Sequence, residues 1–351
     1  MRELWRESRG LRRAAVMVAA VMVAAALLGS GCVRRPTVHV SAGSTARDRD
    51  GRQTTGGSTA RERDGRQTTA GSTARERDGR QTTAGAPRGN GSGAGAGPRP
   101  ICSADRWCWS NPLPQGNDLA GVWGAAKDDV WAVGLAGTIL HWNGSAWSKV
   151  TSGTSEDLYG VWGAAKDDLW AVGKAGTILH WNGSAWSKVT SGTSEHLEGV
   201  WGAAKDDVWA VGYNGTILHW NGSAWSKLTS GTSEHLFGVW GAAKDDLWTV
   251  GKAGTILHWN GSAWSKVTSG TSEHLFGVWG AAKDDVWAVG LAGTILHWNG
   301  SAWSKVTSGT SQLLVSVWGA AKDDVWAVGL AGTILHWNGS AWSKVTSGTS
   351  E

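Results

Sequence analysis

Aspartates and histidines recur at a fixed spacing in the last two thirds of this sequence, and they are the residues that could carry out chemistry. An adjacent pair such as Asp128-Asp129 and a histidine such as His141 occur six times, each 39 residues apart. Adjacent aspartates on a turn point apart, and they lack the D-x-D-x-D-G spacing of a calcium-binding loop. We therefore interpret the pairs as turn-capping and solubilising residues, and each histidine as a buried, hydrogen-bonded structural residue.

These residues belong to a repeat of 39 residues, so each motif must be interpreted as part of a recurring structural unit. Six copies run without a gap from about Asp118 to Glu351, and a fixed period of this length indicates a repeat architecture. The first tryptophan of each copy stands at Trp123, Trp162, Trp201, Trp240, Trp279 and Trp318.

Each copy contains four short β-type segments separated by turn residues. Asn143-Gly144 predicts a type I′ hairpin turn, which needs positive φ at both positions, and Leu135–Gly137 predicts a three-residue turn ending on glycine. In the first copy the predicted strands are Gly121–Ala125, Val130–Gly134, Thr138–Trp142 and Ser145–Val150.

Both faces of the predicted strands are apolar. Val130 and Ala132 alternate with Trp131 and Val133, so each sheet must be covered on both sides, whereas a sandwich sheet would usually show one polar face. The predicted fold class is therefore all-β: a six-bladed β-propeller of four-stranded antiparallel blades over residues 118–351.

Two sequence patterns resemble known families. His141–Trp147, HWNGSAW, resembles a shortened Asp-box, the S-x-D-x-G-x-T-W motif between the third and fourth strands of sialidase-type blades. The wider pattern DVWAVG–GTILHWNGSAW is similar to tectonin repeats and to the tryptophan-rich propeller repeats of bacterial surface lipoproteins. The resemblance covers all six copies and implies the propeller fold, but propellers host many functions.

An Asp-box-type glycoside hydrolase is the least favoured function. A sialidase needs arginines that bind the substrate carboxylate, and residues 118–351 contain none. The only tyrosines, Tyr159 and Tyr213, have no suitable glutamate beside them. We predict no enzyme, no catalytic residue, no cofactor and no metal site, with His196, His235 and His274 as a minor metal-binding alternative.

The first 32 residues are typical of an export signal. Arginines precede the apolar segment Ala14–Leu28, which is too short for a comfortable membrane span. The segment ends in LGSGC, which resembles the lipobox of bacterial lipoproteins, although Leu28 lies one position further from the cysteine than usual. The resemblance implies lipidation of Cys32, and ordinary signal cleavage is the alternative.

Residues 33–100 contain three copies of a 14-residue unit with almost no large apolar residue, so we predict a disordered tether. The arginines give residues 1–117 a net charge of +10, against −6 for residues 118–351, and contact with anionic lipid or glycan phosphates is an alternative role for the tether.

In the transition 101–117, we expect a disulfide between Cys102 and Cys108. There Trp109-Ser110 resembles Trp147-Ser148 of the repeat, which indicates a candidate stray strand.

The copies differ mainly at two places, the turn between the second and third strands and the link before each first strand. An antiparallel meander brings both places to one rim, and neutral drift in exposed loops is the alternative explanation for the variation. The candidate ligand-binding residues on this rim are Tyr159, Lys174, Glu198, Tyr213, Asn214, Phe237, Lys252 and Phe276.

These observations predict a non-catalytic binding protein that is exported to a bacterial outer membrane or cell surface, or otherwise secreted. Glycans are the favoured ligands, because aromatic rings stack on sugar faces and six near-equal sites would give avidity. A surface protein ligand or a purely structural, scaffolding role is the alternative. We expect a monomer that contacts the membrane through the lipid on Cys32 and has no nucleic-acid partner.

Overall fold

A computed structural model describes residues 116–346 of the chain. The predicted export signal 1–32 with its lipidation site Cys32, the tether 33–100, and the cysteines Cys102 and Cys108 lie outside the described residues. In the described part, no helix is long and apolar enough to cross a membrane.

The described residues form six four-stranded antiparallel sheets, one for each copy of the repeat. Within each sheet the strands follow one another as in the sequence, so each copy is a simple meander. These sheets are the blades of a six-bladed β-propeller, which confirms the predicted fold class.

The strands are numbered in chain order, four to a blade. Blades 1 to 3 contain β1 Leu119–Ala126, β2 Asp129–Gly134, β3 Thr138–Trp142, β4 Trp147–Val150, β5 Leu158–Ala165, β6 Asp168–Gly173, β7 Ile178–Trp181, β8 Trp186–Val189, β9 Leu197–Ala204, β10 Asp207–Gly212, β11 Ile217–Trp220 and β12 Trp225–Leu228. Blades 4 to 6 contain β13 Leu236–Ala243, β14 Asp246–Gly251, β15 Ile256–Trp259, β16 Trp264–Val267, β17 Leu275–Ala282, β18 Asp285–Gly290, β19 Ile295–Trp298, β20 Trp303–Val306, β21 Leu314–Ala321, β22 Asp324–Gly329, β23 Ile334–Trp337 and β24 Trp342–Val345. Short 3-10 turns join the second and third strands at Leu135–Gly137, Lys174–Gly176, Tyr213–Gly215, Lys252–Gly254 and Leu291–Gly293.

The turn between the third and fourth strands differs from the prediction. It is a four-residue loop, Asn143–Ala146, and the predicted type I′ geometry is wrong because Gly144 has a positive φ of 89° whereas Asn143 does not. The side-chain oxygen of Asn143 instead accepts hydrogen bonds from the amides of Ser145 and Ala146, both at 3.0 Å. These bonds keep both residues in the turn, so the fourth strand begins at Trp147.

Each blade buries one apolar face against the blade that follows it. Trp131, Val133 and Ile139 of blade 1 pack against residues of blade 2 that include Leu158 and Leu169. An equivalent apolar cluster lies between every two consecutive blades from blade 1 to blade 6. The predicted covering of both sheet faces by neighbouring blades is therefore confirmed for the interior blades.

The innermost strands approach one another closely because glycines face tryptophans across each junction. A Cβ atom built on Gly163 would lie 2.8 Å from the ring of Trp123, and one built on Gly241 would lie 2.6 Å from the ring of Trp201. The same pairing recurs at all five junctions from blade 1 to blade 6. Glycine is required there because any side chain would occupy the space of the indole.

The junction between blade 6 and blade 1, here called the seam, is packed less completely. In residues 116–346, no packing comparable to that of the other five junctions joins β21 to β1. Trp318 of blade 6 is 40% exposed, and Leu119 of blade 1 is only half-buried, whereas its equivalent Leu158 is fully buried. Val130 and Leu140 on the blade 1 side nevertheless stay buried.

On the rim opposite to the variable one, here called the lower rim, an aspartate and a histidine are hydrogen-bonded in every blade. In blades 1, 3, 5 and 6 the same aspartate also accepts from the second-strand tryptophan. In blade 3, Asp207 Oδ1 accepts from Trp209 Nε1 at 2.8 Å and lies 2.8 Å from His219 Nε2. The His219 ring also stacks on the Trp209 ring, with 4.2 Å between ring centroids. The predicted hydrogen-bonded structural histidine is thus found, although it is half-buried, and the second aspartate of each pair is its partner rather than a solubilising residue.

The glycine-tryptophan packing predicts a difference between two otherwise equivalent substitutions. Gly241→Ala should destabilise the protein by about 1–3 kcal/mol, because the new methyl group overlaps the Trp201 ring. Gly124→Ala should change stability by only about 0.5 kcal/mol, since its nearest side-chain neighbour is Val130 at 3.3 Å. Urea unfolding of both variants measures the two losses of unfolding free energy. Equal losses would contradict the assigned packing of the junctions.

The hydrogen bonds of Asp207 predict different effects for two adjacent aspartates. Asp207→Ala should cost about 1–3 kcal/mol of unfolding free energy, because it leaves the buried Trp209 indole N–H without its acceptor. Asp206→Ala is the matched control, since Asp206 is exposed on the preceding turn and should have an effect of about 0.5 kcal/mol or less. Thermal or denaturant unfolding compares the two, and a control as destabilising as Asp207→Ala would refute the assignment.

Candidate functional site

The variable positions of the repeat meet on one rim of the propeller, here called the upper rim. It is formed by the turns between second and third strands and by the links before each first strand. In blade 2, the amide of Lys174 donates to the carbonyl of Asp157 at 2.8 Å, and the amide of Ala175 donates to Nδ1 of His196 at 2.9 Å. Because Asp157 and His196 belong to the links before and after this blade, the predicted meeting of turns and links is confirmed.

The backbone of each turn holds its first side chain in a defined position. The middle residue of the turn has left-handed φ and ψ angles, as at Ala175 (φ 53°) and Asn214 (φ 52°). The glycine that follows is also left-handed, and a Cβ atom on Gly176 would lie 2.0 Å from the carbonyl oxygen of Thr193. The turn is therefore the same in each copy, and only the identity of the presented side chain changes.

Six rings from blades 3 to 5 and the links before them contact one another in series along the upper rim. Tyr213 stacks on His235 with ring centroids 4.1 Å apart, and Phe237 stacks on Phe276 at 5.0 Å. His196 meets Tyr213 edge-on at 5.0 Å, and His235 lies 6.5 Å from Phe237, as His274 does from Phe276. We call this series the aromatic arc; its members are His196, Tyr213, His235, Phe237, Phe276 and His274.

The arc contains three of the residues selected from the sequence, Tyr213, Phe237 and Phe276. Sequence reasoning considered His196, His235 and His274 only as metal ligands, although their side chains, one before each inner strand, join the aromatic rings of neighbouring blades. The signal in the sequence that could have placed these histidines in the site was their recurrence close to the aromatic positions. Within the described residues, no cluster of three or more metal-ligating side chains is present.

The other selected residues lie around the arc without forming part of it. Asn214 Nδ2 donates to a carboxylate oxygen of Glu195 at 2.9 Å, and Lys174 Nζ lies 3.7 Å from Glu156. Lys252 and Glu198 are half-buried, whereas Tyr159 is only 8% exposed. Tyr159 is therefore part of the packed interior and presents little of its ring to a ligand.

His235 occupies the centre of the arc in a neutral form. The amide of Asn214 donates to His235 Nδ1 at 3.0 Å, so this nitrogen carries no hydrogen and the proton lies on Nε2. Burial lowers the pKa of His235 from 6.5, and the positive charge of Lys252 lowers it further, while Glu234 and Glu195 oppose the shift. Protonation of Nδ1 would break the hydrogen bond that holds the turn.

The upper rim is not equivalent around the ring. Blades 5, 6 and 1 present half-buried leucines at the turn position, Leu291, Leu330 and Leu135, and Leu313 replaces the histidine of the link. The aromatic and charged residues are therefore confined to one sector. The repeat predicts six near-equal sites, and the confinement of these residues to one sector contradicts that prediction. It indicates one extended site instead.

The electrostatics of His235 predict a measurable titration. Its pKa should lie below 6.5, and Lys252→Ala should raise it, whereas Lys174→Ala is the control because Lys174 does not contribute to the shift. Below about pH 6.5 the unfolded chain binds more protons at His235 than the folded chain does. The contribution of His235 to the free energy of unfolding is therefore complete above that pH and is lost as the pH falls towards the folded-state pKa. NMR titration of the imidazole Cε1–H signal measures this, and a pKa at or above 6.5 would contradict the assigned environment.

Comparison with known proteins supports the fold. No family model matches the chain, and no curated protein matches it. Among solved structures, the chain is similar to YCF48 bound to D1 peptide (17% identity, TM-score 0.55, 66% of this chain and 83% of that chain) and to YCF48 from Cyanidioschyzon merolae (17% identity, TM-score 0.55, 67% and 87%). It is also similar to the WD40 repeats of RRP9 (10% identity, TM-score 0.57, 66% and 80%). At these identities the likeness shows a shared β-propeller fold and nothing beyond the fold.

Proposed function

We propose that this protein is a non-catalytic binding module that recognises an extended segment of a partner protein along the aromatic arc. The observation that carries the proposal is the unbroken series of rings from His196 to His274, which the fold assembles from three blades. Aromatic residues dominate the binding energy of protein interfaces, because they bury large areas at a low cost in conformational entropy.

The surroundings of the arc fit a peptide better than a uniform apolar ligand. Lys174 and Lys252 stand on the same rim as Glu156, Glu195 and Glu234, so both signs of charge flank the rings. A mixed polar margin around a central aromatic patch is the usual anatomy of a protein interface. The arc also spans several blades, which suits a ligand in extended conformation.

The structural comparisons supply separate support for a peptide ligand. One of the similar propellers was solved as YCF48 bound to D1 peptide, so a protein of this fold holds a peptide. Because the identity is 17%, this likeness supports the class of ligand and not the identity of any partner.

Glycan recognition is the second candidate. The observation in its favour is that Phe237 and Phe276 are half-buried rather than fully buried, so part of each ring is accessible for stacking on a sugar. Asn214 and Lys252 beside them would supply hydrogen bonds to hydroxyl groups. The mutual stacking of Phe237 and Phe276 covers one face of each ring, which is why we rank this ligand class second.

The cellular setting of the proposal depends on sequence alone. We propose that the binding module is exported and held at a bacterial surface by a lipid on Cys32, with residues 33–100 as the tether. In that setting the acidic propeller would meet its partner at a distance from the membrane that the tether length sets.

Peptide-display selection and a glycan array, both run on the same protein preparation, test the proposal. We expect selected peptides to bind, and Phe237→Ala or Phe276→Ala to weaken that binding by about tenfold or more. Leu291→Ala is the matched control, because it truncates an apolar side chain on the same rim outside the arc and should leave affinity unchanged. Binding only on the glycan array would favour the second candidate, and no loss of affinity in either phenylalanine variant would remove the arc as the site.

A further inference from the structure

One position in the link before an inner strand accepts a hydrogen bond from the turn of the preceding blade. The amide of Ala136 donates to Oδ1 of Asp157 at 2.9 Å, and the amide of Asn214 donates to Nδ1 of His235 at 3.0 Å. The acceptors of the equivalent bonds in two further junctions are His196 and His274. The chain therefore uses two kinds of acceptor at one place: a carboxylate that stays ionised down to about pH 4, and imidazoles that can gain a proton near neutral pH.

The junction between blades 5 and 6 shows that the turn forms without this bond. Leu313 occupies the acceptor position there, and its side chain cannot accept a hydrogen bond. The turn Leu291–Gly293 of the preceding blade nevertheless keeps the same backbone conformation, with φ 52° at Ala292. Loss of the bond at His235 would therefore alter the contacts of the imidazole without unfolding the blade.

His235 is also the ring that joins the two parts of the aromatic arc. Within residues 116–346, it is the one ring that contacts both Tyr213, at 4.1 Å between ring centroids, and Phe237, at 6.5 Å. The rings of Tyr213 and His235 are nearly parallel, with 16° between their planes. The continuity of the arc therefore depends on the position of this imidazole, which the hydrogen bond from the Asn214 amide helps to fix.

A proton on Nδ1 of His235 is incompatible with this position. The ring would then direct an N–H group at the amide N–H of Asn214, because both nitrogens of a protonated histidine are donors. The side chain of Asn214 donates to Glu195 at 2.9 Å, and the amide of Tyr213 donates to the carbonyl of His196 at 2.9 Å, so the turn is held on both sides. The ring of His235 is therefore the group that must move.

The surroundings of His235 determine how acidic the solution must be before it takes up this proton. Burial lowers the pKa of His235, and the charges of Lys252 on the turn of blade 4 and of His274 on the next link lower it further. Glu234 of its own link and Glu195 of the preceding link act in the opposite direction. Because the net shift is downwards, the neutral ring persists to a more acidic pH than a free histidine, which titrates at about 6.5.

We propose that His235 is a proton-sensitive joint of the aromatic arc. In its neutral form the ring accepts the Asn214 amide and stacks on Tyr213. In its protonated form the ring leaves both groups, and the arc divides between Tyr213 and Phe237. The consequence for binding rests on the proposed function: a partner segment that lies along the arc would be held at neutral pH and released on acidification.

Hydrogen exchange measured by NMR on the full chain tests the joint without any ligand, so its failure is distinguishable from failure of the proposed function. Between about pH 7.5 and about pH 4.5, where aspartates stay largely ionised, the protection of the Asn214 amide should fall by about tenfold, as expected for the loss of one hydrogen bond. The amide of Ala136 is the internal control and should keep its protection, because Asp157 accepts it. The nuclear Overhauser effect between the rings of Tyr213 and His235 should be lost over the same range.

Two variants place at position 235 the side chains that the chain itself uses at equivalent positions, so both should fold. His235→Asp should protect the Asn214 amide at both ends of the pH range, as Asp157 does for Ala136. His235→Leu, the counterpart of Leu313, should leave that amide unprotected at both ends. An Asn214 amide that stays protected in the wild-type chain at acidic pH, an imidazole that remains neutral there, or an equal loss of protection at Ala136 would overturn the proposal.

Discussion

The packing of tryptophan on glycine between consecutive blades is the interaction on which the rest of the structure depends. A blade of 39 residues has two apolar faces and cannot cover either by itself, so ordering it is unfavourable until a neighbour is in place. The indole of one blade supplies the buried area, and the missing side chain of the next allows the inner strands to approach. At the seam, Trp318 does not lie over Gly124 of blade 1, and Trp318, Leu119 and Asp324 are all more exposed than their equivalents in the other blades.

The two rims of the propeller differ in what the repeat keeps constant. On the rim opposite to the upper one, the aspartate–histidine hydrogen bond recurs in every blade, and in four blades the aspartate also joins a buried tryptophan, as Asp207 joins Trp209 to His219. The upper rim repeats only its backbone, held by glycines such as Gly176 and by hydrogen bonds to the following link. Because that backbone is constant, substitutions at its first position change the surface without disturbing the blade. The aromatic arc is the product of such substitutions in neighbouring copies.

The blade count, the order of strands and the position of the rims could be predicted from the sequence with few errors. The errors arose where a side chain forms hydrogen bonds that the local sequence pattern does not indicate. Asn143 was expected to adopt positive φ in a tight hairpin, but its carboxamide accepts two amides of a wider loop. The second aspartate of each pair was assigned to solvent, since no local pattern shows that Asp129 reaches His141 twelve residues later.

The sequence by itself determined the repeat, the blade and the rim on which the copies vary, because all three follow from the spacing of tryptophans, glycines and turn residues along one chain. Only the tertiary structure decided which variable residues form a site. Tyr213 and His235 lie 22 residues apart and Phe237 and Phe276 lie 39 apart, and contacts between these rings depend on how one blade is placed beside the next. The seam was likewise decided by the fold, because Trp318 and Gly124 occupy the same positions in the repeat as the pairs that meet at the other five junctions, and only the tertiary structure shows that these two do not meet.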